Sequence, residues 1–228
     1  LGAAISEQAF SQGAAGDQQI AHRRDAVRLL FILDRAGKPA SRGAPDGCVK
    51  VIDAEMRIQA IDFWLRNPDY LAHELLDQYE AGRKADGSLL KAAVEVMSGD
   101  EPDLRRMSML RYLFGAYEAL DDAMATLSLH GLAILKRKYK ADGSAIAQSS
   151  FFLTEEGAAK ALQLSAVAPL KWYADRASLV AKVAGDRLGS TLKKRQYEIA
   201  QYHSARHGRV IQPIKDQVTA RLAEMQSK

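Results

Sequence analysis

Lys136, Arg137, Lys138 and Lys140 place four cations within five residues, just ahead of Asp142-Gly143. Side chains at that density hold phosphate by charge, a contact that ignores base sequence and weakens with salt. Lys193, Lys194 and Arg195 belong to a second basic set. Around them Arg187, Arg206 and Arg209 are interleaved with Tyr197, Tyr202, His203 and His207. Single-stranded nucleic acid is bound by such mixtures, phosphates on the cations and bases on the rings. Glu118, Asp121 and Asp122 carry the opposite charge. Three carboxylates without a neighbouring cation repel phosphate and suit a basic protein partner.

Catalytic chemistry is poorly represented. Of the five histidines, only His203 and His207 stand four apart, the spacing that puts two metal ligands on one helix face. No Glu follows His203, and Arg206 and Arg209 lie close by. Neither a phosphate-cradling loop, a dinucleotide fingerprint nor a nucleophile elbow occurs. Asp121 and Asp122 are adjacent, so on a helix they point about 100° apart. The expectation is a non-enzyme with no catalytic residue, metal or cofactor.

The 228 residues are 47% hydrophobic and 26% charged, with a net charge of +4. That is a globular composition, and a chain of this length buries about 70% of its unfolded surface without disulfides or metals. No apolar run approaches the ~20 residues of a membrane span, so no membrane partner is expected. The charge is unevenly placed. Residues 53–80 hold seven acidic against two basic side chains, and 182–221 hold nine basic against three acidic. Such asymmetry points to a polyanion partner or to contact between the two stretches. Cys48 is the sole cysteine, which suits a reducing cytoplasm. The Ala-, Gly-, Gln- and Ser-rich start lacks a signal-peptide pattern and predicts disorder over 1–19.

These residues need elements to hold them. Helical spacing predicts helices over 20–36, 54–66, from Asn67 to before Gly82, 88–99, 103–117 and 118–130. Asn67 is expected to cap the third, with Pro68 first in it and Asp69 at its positive end. Cys48 to Ile52 reads as a short strand. From Leu132 the period becomes that of strands. Asp142-Gly143 then predicts a hairpin with a two-residue loop, pairing Ala141 with Ser144, Tyr139 with Ile146, Arg137 with Gln148, Ile134 with Phe151 and Leu132 with Leu153. Alternation sets Lys136, Lys138 and Lys140 on one face, and Thr154 caps the helix that follows. After Pro169, Leu170, Tyr173, Ala177, Val180 and Ala184 form a helical seam. Gly185 and Gly189 interrupt it, and a short helix follows Pro213. Trp64, Trp172 and Tyr173 fall on apolar stripes, as core or interface residues do.

The run from Leu127-Ser-Leu-His-Gly131-Leu132 through the basic hairpin to Leu153-Thr154-Glu-Glu-Gly157 resembles the second half of a winged-helix domain. It is similar to bacterial regulators of the MarR and PadR type over residues of about 104–162. With the spacing read along the rest of the chain, the expectation is a mainly α protein with one β-hairpin. Its winged-helix-like centre (101–166) would lie between an N-terminal helical region (20–100) and a C-terminal one (167–228) that forms a homodimer. The helix 118–130, in the recognition position, has no Arg, Lys, Asn or Gln for base edges. The expected function is therefore a cytoplasmic nucleic-acid-associated protein, a transcriptional regulator in the resemblance, binding DNA mainly through phosphate. Its contacts would be Lys136, Arg137, Lys138, Lys140, Lys193, Lys194 and Arg195. The alternative is a protein–protein interaction module docking through Glu118, Asp121 and Asp122, with no nucleic acid bound.

Overall fold

A computed structural model describes residues 22–82, 87–99, 101–112 and 115–227. The segment 1–19, expected to be disordered, lies outside the described residues. Helix α1 covers 22–36. It is followed by β1 (Lys38–Pro39), β2 (Cys48–Asp53), α2 (Glu55–Arg66), α3 (Pro68–Glu80), α4 (Gly87–Met97) and α5 (Glu101–Leu104). Next come β3 (Leu110–Tyr112), β4 (Gly115–Tyr117), α6 (Asp121–Leu129), β5 (Ala133–Tyr139), β6 (Ile146–Thr154) and α7 (Glu155–Ser165). The chain closes with α8 (Ala168–Ala184), α9 (Gly189–Tyr197), α10 (Ala200–Ser204) and α11 (Lys215–Gln226). Two compact units form, each from two stretches: residues up to Ile52 with Ala119–Ala174, and Asp53–Glu118 with those from Asp175 on.

In the first unit the mainly α expectation holds, but the single hairpin does not. Strands β5 and β6 are half of a four-stranded sheet in the order β1-β2-β6-β5. β2 is tied to α1 by Lys50, whose Nζ donates to Asp34 Oδ1 at 2.7 Å. The predicted register also needs correction. Tyr139 does pair with Ile146, but Lys138 pairs with Gln148, Arg137 with Ser149, Ile134 with Phe152 and Ala133 with Leu153. A β-bulge between Lys138 and Tyr139 adds one residue to β6 and shifts every later pair by one. The loop is wider than two residues as well: Lys140 N–H donates to Ala145 at 2.9 Å, and Asp142 accepts from Ser144 N–H at 3.0 Å. Other local signals hold. Gly131 has φ +69° after α6, and Thr154 Oγ1 accepts from Gly157 N–H at 2.9 Å, capping α7.

In the second unit α2 and α3 carry the core. Phe63 meets Tyr70 at 4.8 Å and Tyr202 at 5.0 Å, ring edge to ring face. Asn67 does not cap α3. Its Nδ2 donates backwards to the Phe63 carbonyl at 2.8 Å, closing α2. Pro68 opens α3 as predicted. Asp69, buried in its first turn, accepts from Arg106 at 3.1 Å and from Ile214 N–H at 2.6 Å. Burial raises its carboxyl pKa above the ordinary value despite these partners.

The helix predicted over 103–117 is not present. After α5 the chain is extended, and β3 pairs with β4, Leu110 opposite Tyr117 and Tyr112 opposite Gly115. Leu110 also bridges Val210. The local spacing of Leu104, Met107 and Leu110 suited a helix, but distant partners claim the backbone. Met107 N–H donates to Arg66 O at 2.9 Å, Arg111 N–H to Arg209 O at 2.8 Å, and Arg66 Nη2 to Ser108 O at 2.8 Å. Long-range pairing thus outweighs propensity, which is a weak prior.

Candidate nucleic-acid interface

On β5 the side chains alternate between two faces. Ala133, Leu135 and Arg137 share one, with Leu153, Phe151 and Ser149 opposite them. Phe151, Leu153 and Ser149 are buried, so this face turns inward. Lys136 and Lys138 occupy the other, and Lys140 continues it just past the strand end. All three lysines are exposed, and none is paired with a carboxylate among the described residues. Ser150 lies opposite Lys136 and Gln148 opposite Lys138. Gln148 Nε2 donates to Ser150 Oγ at 3.3 Å. The result is a polar, cationic face on an edge strand.

Arg137 does not join that face. It lies on the opposite face of the strand and, still exposed, meets Asp121 of α6, Nη2 to Oδ1 at 2.6 Å. Asp122 lies beside it in the first turn, 4.0 Å from His22 Nε2. Glu118 precedes α6 and belongs to the second unit, where its carboxylate accepts from Arg66. Its main chain is held by Gln59, which donates to Glu118 O at 2.6 Å and accepts from Glu118 N–H at 3.0 Å. Glu118 thus lies outside the helix that carries Asp121 and Asp122.

The basic stretch of the second unit turns largely inward. Lys193 is only 6% exposed, and its Nζ donates to Ala116 O at 2.8 Å. Burial lowers its pKa to about 8. Arg195 reaches Asp77 at 2.8 Å, Glu74 at 3.3 Å and Glu198 at 2.5 Å. Arg187 reaches Glu74 at 2.9 Å, and Arg221 reaches Asp77 at 2.7 Å. Of the three cations assigned there to nucleic acid, Lys194 alone is exposed. The opposed charges of 53–80 and 182–221 are thus met by contact between the two stretches, one of the two outcomes expected of them.

Tyr202 is buried too, and its hydroxyl accepts from Ala116 N–H at 2.7 Å. Tyr197 packs edge-on against it at 5.1 Å and lies under the Arg111 guanidinium. The predicted register sets Gln148 opposite Arg137; the bulge moves it opposite Lys138 and brings Ser150 opposite Lys136. Among the described residues no group of three His, Cys, Asp or Glu side chains is placed to hold a metal ion, and no helix is long and apolar enough to cross a membrane. Comparison of the chain with family models, curated proteins and solved structures returned no match.

Proposed function

We propose that this protein binds nucleic acid by its phosphates, with Lys136, Lys138 and Lys140 of the β5–β6 hairpin as the contacts. The observation that carries this reading is their placement: three exposed lysines along one face of an edge strand, none held by a carboxylate. Gln148 and Ser150 across the ladder add neutral donors for phosphate oxygens. Base-specific readout is not part of the proposal, because α6 presents Asp121 and Asp122 and no cation. A regulator built this way takes its target from DNA shape or from a second factor. A reducing cytoplasm suits the lone Cys48. The protein-docking alternative has less support, since Arg66 occupies Glu118 and Arg137 occupies Asp121.

Anisotropy of a fluorescein-labelled DNA duplex, titrated from about 50 to about 200 mM salt, tests this. Three phosphate contacts give a log–log salt slope of about −3. Lys136→Gln, Lys138→Gln and Lys140→Gln together should abolish most of the slope and weaken binding across all sequences alike. Lysines on an edge strand also discourage strand addition, so sedimentation of the triple variant belongs to the test. A variant that self-associates yet keeps its DNA affinity and salt slope overturns the proposal.

A further inference from the structure

The small sheet of the second unit displays rings. Leu110 and Tyr112 alternate onto one side of β3. Tyr117 sits opposite Leu110 on β4, and Val210 opposite Leu110 on the other flank. Directly opposed residues share a face, so these four side chains form one surface. Arg111 and Ala116 take the inner side, where Ala116 is fully buried and Arg111 donates to Ala205 O at 2.8 Å. The outer surface is open. Leu110 is 50% exposed, Tyr112 46%, Tyr117 40% and Val210 38%.

Three rings run across it. Tyr112 lies 5.4 Å from Tyr117 at 33° between planes, and 4.7 Å from His207 at 40°. These are tilted stacks rather than the edge-on packing of the core tyrosines. Arg206 and Arg209 flank His207 in the chain. Both are exposed, and neither is paired with a carboxylate among the described residues. A half-exposed row of rings, bordered by guanidinium groups that have no carboxylate partner among the described residues, suits bases alternating with phosphates.

The geometry points to a base-stacking surface for single-stranded nucleic acid, with Tyr112, Tyr117 and His207 as the platform and Arg206 and Arg209 as the phosphate contacts. It stands apart from the hairpin proposal, because none of its residues lies on β5 or β6. The cations favour this occupant over an apolar protein partner, which would leave two guanidinium charges unanswered.

The test is anisotropy of a fluorescein-labelled oligo-dT of about 12 nucleotides, within the site sizes of such surfaces, bound to the full chain. Tyr112→Ala and Tyr117→Ala should each weaken binding about fivefold or more. Tyr112→Phe keeps the ring and should stay within about twofold of the parent. Arg206→Gln with Arg209→Gln should flatten the salt slope by about 1.4, the single-strand value for two phosphate contacts. The losses should persist in the Lys136→Gln, Lys138→Gln, Lys140→Gln background, which separates this surface from the hairpin. Three results overturn the inference. They are alanine variants that bind oligo-dT as tightly as the parent, an abasic strand of equal length that binds as tightly as oligo-dT, and a Tyr112→Ala variant that splits a sedimenting dimer without altering oligo-dT affinity, which marks the face as a protein contact.

Discussion

Arg195 holds the Asp77 carboxylate at 2.8 Å and thereby joins the basic stretch 182–221 to the acidic stretch 53–80. Asp77 also receives Arg221 at 2.7 Å, and Glu74, one turn earlier on α3, receives Arg187 at 2.9 Å and Arg195 at 3.3 Å. Three guanidinium groups thus answer the carboxylates along α3. Arginine suits this role because its planar fork bridges two acids at once. The same contact explains why so cationic a stretch leaves few side chains for an outside polyanion.

Asp77 should make stability depend on pH at the acid end. Burial raises its carboxyl pKa, but hydrogen bonds and charge from His73 and Arg221 outweigh that and hold it at about 2. The folded value lies below the unfolded one of about 3.9. The stabilisation is therefore complete above about pH 4 and is lost as pH falls toward about 2. Because the carboxylate is partly solvated, the full linkage value of about 2–3 kcal/mol is discounted to about 1 kcal/mol. Asp77→Asn should lower the neutral-pH urea midpoint and flatten its fall between about pH 4 and pH 2.

Lys193 should act at the alkaline end with the opposite trend. Burial lowers its pKa to about 8, below the unfolded value of about 10.4. Between those values the unfolded chain binds the proton and the folded chain does not, so stability rises with pH across that window. The linkage amounts to about 3 kcal/mol. Lys193→Met, similar in length and uncharged, should remove the rise, as read by chemical denaturation from about pH 7.5 to pH 10.5. A rise that survives the substitution assigns the proton to another group.

Gly189 is where α9 touches α2. A Cβ there would lie 2.5 Å from Arg57 N and 2.8 Å from Met56 C, both backbone atoms that cannot step aside. Gln196, two turns on, donates to Ala60 O at 2.8 Å and fixes the same packing. Gly189→Ala should cost about 1–3 kcal/mol by forcing the helices apart, seen as a lower denaturant midpoint with unchanged slope. Gly208→Ala is the comparison at a site where a Cβ meets nothing within 4 Å and only the φ of +72° resists it.

Much of the helical framework is legible in the sequence because it is local. The apolar spacing of α2, the Pro68 start of α3, the turn at Gly131 and the Thr154 cap each depend on residues within a few positions. The strands are less legible because their partners are distant. β3 and β4 lie inside a run whose spacing suits a helix, and Arg66 and Arg209, which claim that backbone, are far away in the chain. The hairpin lysines were legible as a cluster, and alternation alone puts them on one face. Lys193 and Arg195 looked equally cationic, but their inward course follows from carboxylates on α3 and the Ala116 carbonyl, which no neighbouring residue signals. Tyr112, Tyr117 and His207 were illegible as a file for the same reason: they meet only once Leu110 pairs with Tyr117 and Val210.

Asp121 tests how far Arg137 belongs to the hairpin surface. Their 2.6 Å contact joins side chains that are 38% and 71% exposed, and such pairs contribute about 0–1 kcal/mol. Asp121→Asn should therefore leave the melting temperature nearly unchanged. Its effect on duplex binding should be larger, because it removes a negative charge held against β5 and releases the Arg137 guanidinium from that ion pair. If phosphate binds there, affinity should rise severalfold, with a salt slope steeper by about one. Arg137→Gln alone should change little, since that side chain is already committed to Asp121. In Asp121→Asn the same Arg137→Gln change should cancel the gain. Failure of the two substitutions to couple places the bound phosphate away from β5.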